Sequence, residues 1–162
     1  MSVMSKANAY LLDKLDEEMN GVKIKIKYFN PNIPHLEKCD IGDWIDLYTV
    51  DDVKLNEGES TLIPLGVAMK LPEGYEAILA PRSSTFKKYG IIQTNSIGVI
   101  DNSYCGDDDE WKLAVYATRD TRIPANARIC QFRIQRSQPK IEFIEVDTLG
   151  SENRGGFGST GV

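Results

Sequence analysis

The chain has 162 residues and a formal net charge of −5. Its length suits a single domain, and its acidic balance disfavours a general nucleic-acid-binding protein, which needs a basic surface. It has no apolar run long enough to cross a membrane and no basic start followed by an apolar stretch, so we predict a cytoplasmic protein without a secretory signal. Its three widely spaced cysteines suit a reducing compartment.

The first predicted element is a helix over residues 4–20, in which Leu11, Leu15 and Met19 recur about every four residues before a stop at Gly21. Alternation of apolar residues with lysines then predicts a half-buried strand over 22–28. Further short apolar runs, separated by turn residues, cover 44–50, 60–71, 75–80, 91–92, 97–100, 111–118, 128–136 and 141–146. Many short strands at this spacing predict an all-β fold, a sandwich or barrel of jelly-roll type.

These patterns divide the chain into three segments: an N-terminal helix in 1–21, a β domain in 22–149 and a C-terminal arm in 150–162. The arm has one large apolar side chain, Phe157, among its glycines, so it cannot bury enough surface to order itself. We expect it to be mobile until a ligand binds. The helix is expected to pack on the β domain or on a neighbouring subunit.

Four stretches have compositions that a strand-and-turn scaffold does not require. The only histidine, His35, lies in a predicted surface loop, so acid–base chemistry must come mainly from carboxylates. In the first stretch, Gly42–Tyr48, Asp43 and Asp46 lie at the entry to a strand, where turn formation is the favoured explanation for this stretch alone. In the second, Ala80–Thr85, the expected helix start and Arg82 suit an anion, although simple helix capping explains the serines equally well.

The third stretch, Asn95–Gly106, predicts a β-hairpin whose backbone groups can match the edge of a base. Its Asp101 is ionised at neutral pH and is available as a general base, unless it only builds the turn. The acidic run that follows, Asp107–Glu110, offers metal ligands, although a solvated loop is the favoured interpretation.

The fourth stretch is the C-terminal arm, in which Arg154 and Phe157 suit a phosphate and a base. Its glycines let backbone amides approach oxygen atoms closely, although a Gly/Ser tail is more often a flexible end. The Gly-Lys-Ser/Thr ending of a Walker A loop is absent.

With Arg128-Ile-Cys-Gln131, these stretches resemble the five ordered motifs of the trimeric dUTP pyrophosphatase (dUTPase) family, and most closely its phage and Gram-positive branch. The resemblance spans residues 22–161. It implies a distorted jelly-roll barrel, a homotrimer with active sites at subunit junctions, and Mg²⁺ carried by the triphosphate without a direct protein ligand. It also implies hydrolysis of dUTP to dUMP and pyrophosphate by water attack on the α-phosphorus, which limits uracil incorporation into DNA and supplies dUMP for dTMP synthesis.

The resemblance also implies a role for each site residue. Asp101 orients the attacking water and Gln131 holds the α-phosphate or the water, while Asp46 either supports the water shell of the metal or positions Arg82. The remaining implied contacts are to uracil or deoxyribose from Asn95, Gly98, Ile100, Tyr104 and Phe157, and to the phosphates from Arg82, Ser83, Ser84, Arg154, Gly156, Ser159 and Thr160.

Two features depart from the commonest family pattern. Asn102-Ser103 stands where Ser-Asp is usual, and the stretch 106–111 is longer and more acidic. A dCTP deaminase, the nearest rival with this fold, needs a glutamate that the third motif lacks. Phage-type members also bind repressor proteins, but the short stretch 111–128 leaves no room for a large insert, so such a partner is not indicated here.

Overall fold

The computed structural model describes residues 3–153 and residue 155. The predicted N-terminal helix is confirmed as α1, Val3–Asn20, and Gly21 ends it with a left-handed φ of 73°. After α1, the described part of the chain contains one five-residue helix and eleven strands. These elements are β1 Lys25–Tyr28, β2 Ile45–Tyr48, β3 Val53–Leu55, β4 Ser60–Pro64, β5 Val67–Lys70, β6 Tyr75–Pro81, α2 Thr85–Tyr89, β7 Ile91–Gln93, β8 Gly98–Ile100, β9 Lys112–Ala117, β10 Thr121–Ile123 and β11 Arg128–Arg136.

The strands form four small antiparallel sheets of a distorted jelly roll, which confirms the predicted fold class. The largest has the order β2-β11-β6-β8, and the next has the order β4-β9-β7. Two further pairs, β1-β5 and β3-β10, complete the described pairing. Strand β11 lies between β2 and β6, so it brings Gln131 opposite both Asp46 and Ala80.

The core lies between the two larger sheets. It is formed by the inward-facing side chains, which alternate with outward-facing ones along each strand. Trp111 and Phe132 are its largest fully buried members, and their rings meet edge to face at 5.2 Å. The alternating burial of β6 and β9 follows the two-residue period of a strand with one covered face. This rigid pair of sheets supports the strand ends that carry the candidate site.

Two sequence predictions are wrong in the described structure, and two short strands were missed. The hairpin expected in 95–106 does not form, because β8 pairs with β6 and a turn follows it. The strand expected over 141–146 is also absent, and Phe143 and Ile144 are 94% and 79% exposed. Strands β3 and β10 were not predicted. Each has only three residues, and they pair with each other.

The large apolar side chains over residues 10–19 of α1 lie on the outside of the subunit. Leu11, Leu12, Leu15 and Met19 are all more than half exposed, so these residues do not pack on the β domain of their own chain. Within the described part of the chain, no helix combines the length and apolar character that crossing a membrane requires. All three cysteines lie in this part and are unpaired.

Candidate active site

One group of site residues lies at the adjoining ends of β2, β6 and β11. Asp46 is on β2, Gln131 is opposite it on β11, and Arg82 directly follows β6. The Gln131 side chain donates from Nε2 to the carbonyl of Pro81 at 3.3 Å. Arg128 is the first residue of β11, and its guanidinium points at the carboxylate of Asp46. The sheet therefore gathers an amide and two guanidinium groups around one acid; we call these four residues the strand-end cluster.

Both carboxylate oxygens of Asp46 form ion pairs with arginines. Its Oδ1 lies 2.7 Å from Nε of Arg82, and its Oδ2 lies 3.3 Å from a terminal nitrogen of Arg128. The Asp46 and Arg82 side chains are about three-quarters buried, so this pair is less screened than a surface ion pair. Of the two roles that the resemblance left open for Asp46, this geometry favours positioning Arg82.

Arg128 was not among the predicted site residues. The signal that can find it is its place at the start of the fourth motif, which forms β11, the strand that pairs with β6. The neighbouring Cys130 is fully buried, and burial raises the pKa of its thiol far above the usual range, with the Asp46 charge adding to the effect. A neutral thiol is not a nucleophile, so Cys130 is a packing residue.

The segment that carries Arg82 is fixed by Thr85 rather than by its serines. The backbone N–H of Arg82 donates to Oγ1 of Thr85, which in turn donates to the carbonyl of Ile129 on β11 at 2.7 Å. Ser84 precedes α2 but makes no side-chain capping hydrogen bond, so helix capping does not explain it. Ser83 is exposed, and its hydroxyl is available to a ligand.

A second group of site residues lies along β8 and the turns on either side of it. The turn 94–97 carries Asn95, which is exposed, and Ser96 adopts a left-handed φ of 56°. Gly98 packs so closely on β6 that a Cβ there would lie 2.9 Å from Cβ of Leu79. The turn thus presents its backbone outward from a rigid base, as reading the edge of a nucleobase requires. Ile100 ends β8 and is half-buried.

Gln93 supports this turn from inside and was missed by the sequence reasoning. It is buried and donates from Nε2 to the carbonyl of Leu79 at 3.3 Å. A buried glutamine at the end of an apolar strand is the signal that was available, because such a side chain needs hydrogen-bond partners.

The turn after β8 holds Asp101 with its carboxylate in solvent. Ser103 donates to Oδ1 from both its hydroxyl and its backbone N–H. These two hydrogen bonds, that of the hydroxyl first, lower the pKa of Asp101 below its ordinary value. Asn102 donates to the carbonyl of Pro72 at 3.0 Å and so ties the turn to the start of β6. The two residues that depart from the usual family pattern therefore orient the turn and its carboxylate.

Tyr104 completes the second group. Its ring is 41% exposed, and its hydroxyl donates to the carbonyl of Glu110 at 3.1 Å. The acidic run Asp107–Glu110, shortly after Tyr104 in the sequence, contains no group of three side chains placed to bind a metal ion. No other described part of the chain contains such a group.

The structure does not bring the two groups into one site within a subunit. Ala77 of β6 is opposite Ile100, and Leu79 is opposite Gly98, so β8 runs away from the end of β6 that carries Arg82. Asp101 is five to six residues from Arg82 along the sheet, about 16–20 Å at strand spacing. The predicted contacts of the C-terminal arm, Arg154, Gly156, Phe157, Ser159 and Thr160, lie outside the described residues.

Comparison with known proteins gives this arrangement a family. A family model described as dUTPase matches residues 44–161. The chain is 56% identical over 141 residues to the SPbeta prophage-derived deoxyuridine 5'-triphosphate nucleotidohydrolase YosS of Bacillus subtilis, covering 87% of this chain and 99% of that protein. This chain belongs to the dUTPase family. A deoxyuridine 5'-triphosphate nucleotidohydrolase of Thermobifida fusca is 35% identical over 154 residues, covering 93% of this chain and 86% of that protein.

Solved dUTPase structures share the fold. The dUTPase of phage phi11 of S. aureus, as its D95N mutant, superposes with a TM-score of 0.68 at 17% identity, covering 78% of this chain and 98% of that one. The dUTPase of Streptococcus mutans gives a TM-score of 0.60 at 20% identity, covering 76% of this chain and 98% of that one. The similarity to a prophage protein agrees with the phage and Gram-positive branch that the motifs indicated.

Proposed function

We propose that this enzyme converts dUTP to dUMP and pyrophosphate by water attack on the α-phosphorus. As a member of the dUTPase family, it hydrolyses dUTP. The observation that carries the finer proposal is the strand-end cluster, in which Asp46 holds Arg82 at 2.7 Å beside Gln131. An oriented guanidinium and an amide are suited to phosphate oxygens. Removal of dUTP limits uracil incorporation into DNA, and dUMP supplies dTMP synthesis.

The nucleoside is held by the turns on either side of β8. In this proposal the Asn95 amide and the backbone through Gly98 contact the uracil edge, and Ile100 borders the sugar. Tyr104 lies under the deoxyribose and leaves no room for a 2′-hydroxyl. The close packing of Gly98 on Leu79 supports this role, because it gives the turn a fixed base.

Asp101 orients the attacking water and accepts its proton. Its carboxylate is exposed and ionised at neutral pH, and the hydrogen bonds from Ser103 lower its pKa below the ordinary value. Ser83, Ser84 and Arg82 hold the phosphate chain, and Gln131 holds the α-phosphate or the water. Because the nucleophile is only water, much of the rate comes from holding it in line with the leaving pyrophosphate.

Magnesium fits this site as part of the substrate. Both oxygens of Asp46 are engaged by arginines, and the described residues contain no group of three metal-ligating side chains. In this proposal Mg²⁺ arrives on the triphosphate, where it neutralises charge on the phosphate oxygens. The phage phi11 dUTPase mutant coordinates a structural Mg(II) ion.

The active unit is a homotrimer whose sites lie at subunit junctions. Along β8, the proposed uracil contacts at Gly98 come before Asp101, so the phosphates of one dUTP extend past Asp101. Arg82 of the same subunit lies at the opposite, Gly98 end of the strand pair. A neighbouring subunit must then supply the Arg82 that meets these phosphates. The exposed apolar segment 141–149 also supports assembly, because Phe143 and Leu149 are 94% and 90% exposed in the isolated subunit.

The C-terminal arm closes the site over the bound nucleotide. Phe157 stacks on uracil, while Arg154, Gly156, Ser159 and Thr160 contact the distal phosphates. The composition of the arm and its match to the family model through residue 161 support this role.

A nucleotide panel tests the proposed function. The protein is incubated with Mg²⁺ and, separately, dUTP, dCTP, dTTP and UTP, and the products are identified. We expect dUMP and pyrophosphate from dUTP and little turnover of the others. A protein that leaves dUTP intact, or converts dCTP to dUTP with release of ammonia, contradicts the proposal.

A further inference from the structure

The acidic run Asp107–Glu110 forms a hydrogen-bonded bridge after Tyr104. The backbone N–H of Gly106 donates to Oδ2 of Asp109 at 2.7 Å, and the N–H of Asp109 returns to the carbonyl of Gly106. Lys27 of β1 donates to the carbonyl of Asp107 at 2.7 Å. Within the run, the side chain of Asp109 and the backbone of Asp107 therefore have structural contacts.

The bridge ends at Glu110, which contacts two parts of the molecule. Its backbone carbonyl accepts the hydroxyl of Tyr104 at 3.1 Å. Its side-chain Oε1 accepts the backbone N–H of Gly66 at 2.9 Å, in the turn between β4 and β5. Glu110 thus joins the exposed tyrosine to a turn that is 44 residues earlier in the sequence.

The turn at Gly66 is a firm anchor. Gly66 has a left-handed φ of 68°, and a Cβ there would lie 1.9 Å from Cδ1 of Ile33. Ile33 is itself buried. On the other side of Glu110, the N–H of Trp111 donates to the carbonyl of Val67 at 2.8 Å, and Trp111 is fully buried. The carbonyl that receives the Tyr104 hydroxyl is therefore held from both sides.

We infer that Glu110 is a positioning residue for sugar discrimination: by fixing the acceptor of the Tyr104 hydroxyl, it keeps the tyrosine ring against the deoxyribose. The inference rests on the proposed function, in which Tyr104 excludes a 2′-hydroxyl. An untethered ring can withdraw by the small distance that a ribose needs. A ring tethered at its hydroxyl cannot, so a ribonucleotide meets a steric clash that dUTP does not.

The test compares kcat/KM for dUTP with kcat/KM for UTP in the full-length protein. Glu110→Ala removes the acceptor for Gly66, and we expect the dUTP preference to fall roughly threefold to tenfold, the range of one hydrogen bond. Glu110→Gln keeps an acceptor oxygen and should restore the preference to within about twofold of the starting protein. Asp108→Asn removes the same charge from the same run, at a side chain that is 99% exposed, and should leave the preference unchanged.

A double-mutant cycle separates this mechanism from general destabilisation. Tyr104→Phe removes the hydroxyl itself and should lower the preference by a similar factor, and the double variant with Glu110→Ala should be no worse than either alone. Wild-type discrimination in Tyr104→Phe, independent multiplication of the two effects, or a Glu110→Gln as impaired as Glu110→Ala overturns the inference. Absence of dUTP hydrolysis by the unchanged protein overturns instead the proposed function.

Discussion

At the scale of single residues, the hydrogen bonds around Asp101 lower its pKa and fix the direction of its carboxylate. Ser103 donates twice to one carboxylate oxygen, and Asn102 ties the turn to Pro72. In the commonest family pattern an acid stands at the Ser103 position, and an ionised acid cannot donate a hydrogen bond. Ser103, which stands at that position in this chain, therefore supplies a hydrogen-bond donor to Asp101, the proposed base.

Asp101→Asn removes the proposed base with little change in size. We expect kcat to fall by roughly 10²- to 10⁴-fold, the usual contribution of general base catalysis, with little change in nucleotide binding. Steady-state kinetics and binding of a non-hydrolysable dUTP analogue measure the two quantities. Asp51→Asn, an exposed acid elsewhere, is the matched control. Near-normal turnover in Asp101→Asn removes Asp101 from the mechanism.

Ser103→Ala tests the pH dependence that follows from the lowered pKa. The base works in its ionised form, so a lowered pKa extends activity to lower pH, and activity is lost as pH falls through that pKa. Loss of the Ser103 hydroxyl, the largest cause, moves the acidic limb of kcat/KM toward higher pH. At pH 7 the rate should stay within about twofold, since an ordinary aspartate is already ionised there. An acidic limb that does not move, against a Ser60→Ala control, contradicts this account of Ser103.

At the scale of elements, β11 joins the two strands, β2 and β6, that hold the rest of the strand-end cluster. The turn that precedes β11 sets the position of this strand. Thr49 is fully buried and directs its hydroxyl to the carbonyl of Pro124 at 2.7 Å, while accepting the N–H of Ala127 at 3.0 Å. Its backbone pairs with the same turn, through Ala127 and Asn126. Thr49 therefore fixes the start of β11, the strand that carries Arg128 and Gln131.

Thr49→Val keeps the shape of the side chain and removes its two hydrogen bonds to the turn, so the Ala127 N–H and the Pro124 carbonyl keep only their mutual bond at 3.2 Å. We expect a loss of about 1–3 kcal/mol in the free energy of unfolding, from two buried hydrogen bonds of about 0.5–1.5 kcal/mol each. Denaturant unfolding measures it, with Thr61→Val on β4 as the control. A Thr49→Val protein as stable as the control would show that the turn is held by its backbone pairs alone.

The sequence predicted those elements whose pattern is local. The period of Leu11, Leu15 and Met19 gave α1, and bounded apolar runs gave β6, β9 and β11 closely. The pairing of β8 with β6 was missed, because adjacent turn residues suggest a hairpin whereas register depends on distant strands. The apolar run 141–146 predicted a strand, but its side chains find no covering surface within one subunit.

The candidate site was predictable only as separate motifs. Each motif places its residues near a strand end, but sequence spacing does not reveal that Asp46 reaches both Arg82 and Arg128 across three strands. Nor does it reveal that Arg82 and Asp101 lie at opposite ends of one strand pair. Those facts depend on sheet order, which long-range packing decides.

At the scale of the whole molecule, the separation of Arg82 from Asp101 supports the proposal that each site lies at a subunit junction. Mixing two inactive variants tests this: Arg82→Ala and Asp101→Asn, refolded or expressed together. If the two residues of a site come from different subunits, random assortment in a trimer rebuilds about one quarter of the sites. Activity near that fraction is expected. A mixture as inactive as its components means that each subunit builds its own site.

Hydrolysis in ¹⁸O-labelled water tests the central chemical claim most directly. The enzyme is incubated with dUTP and Mg²⁺ in H₂¹⁸O, and both products are weighed by mass spectrometry. Water attack on the α-phosphorus places one ¹⁸O in dUMP and none in pyrophosphate. Label in pyrophosphate, or no turnover of dUTP, would contradict the proposed reaction.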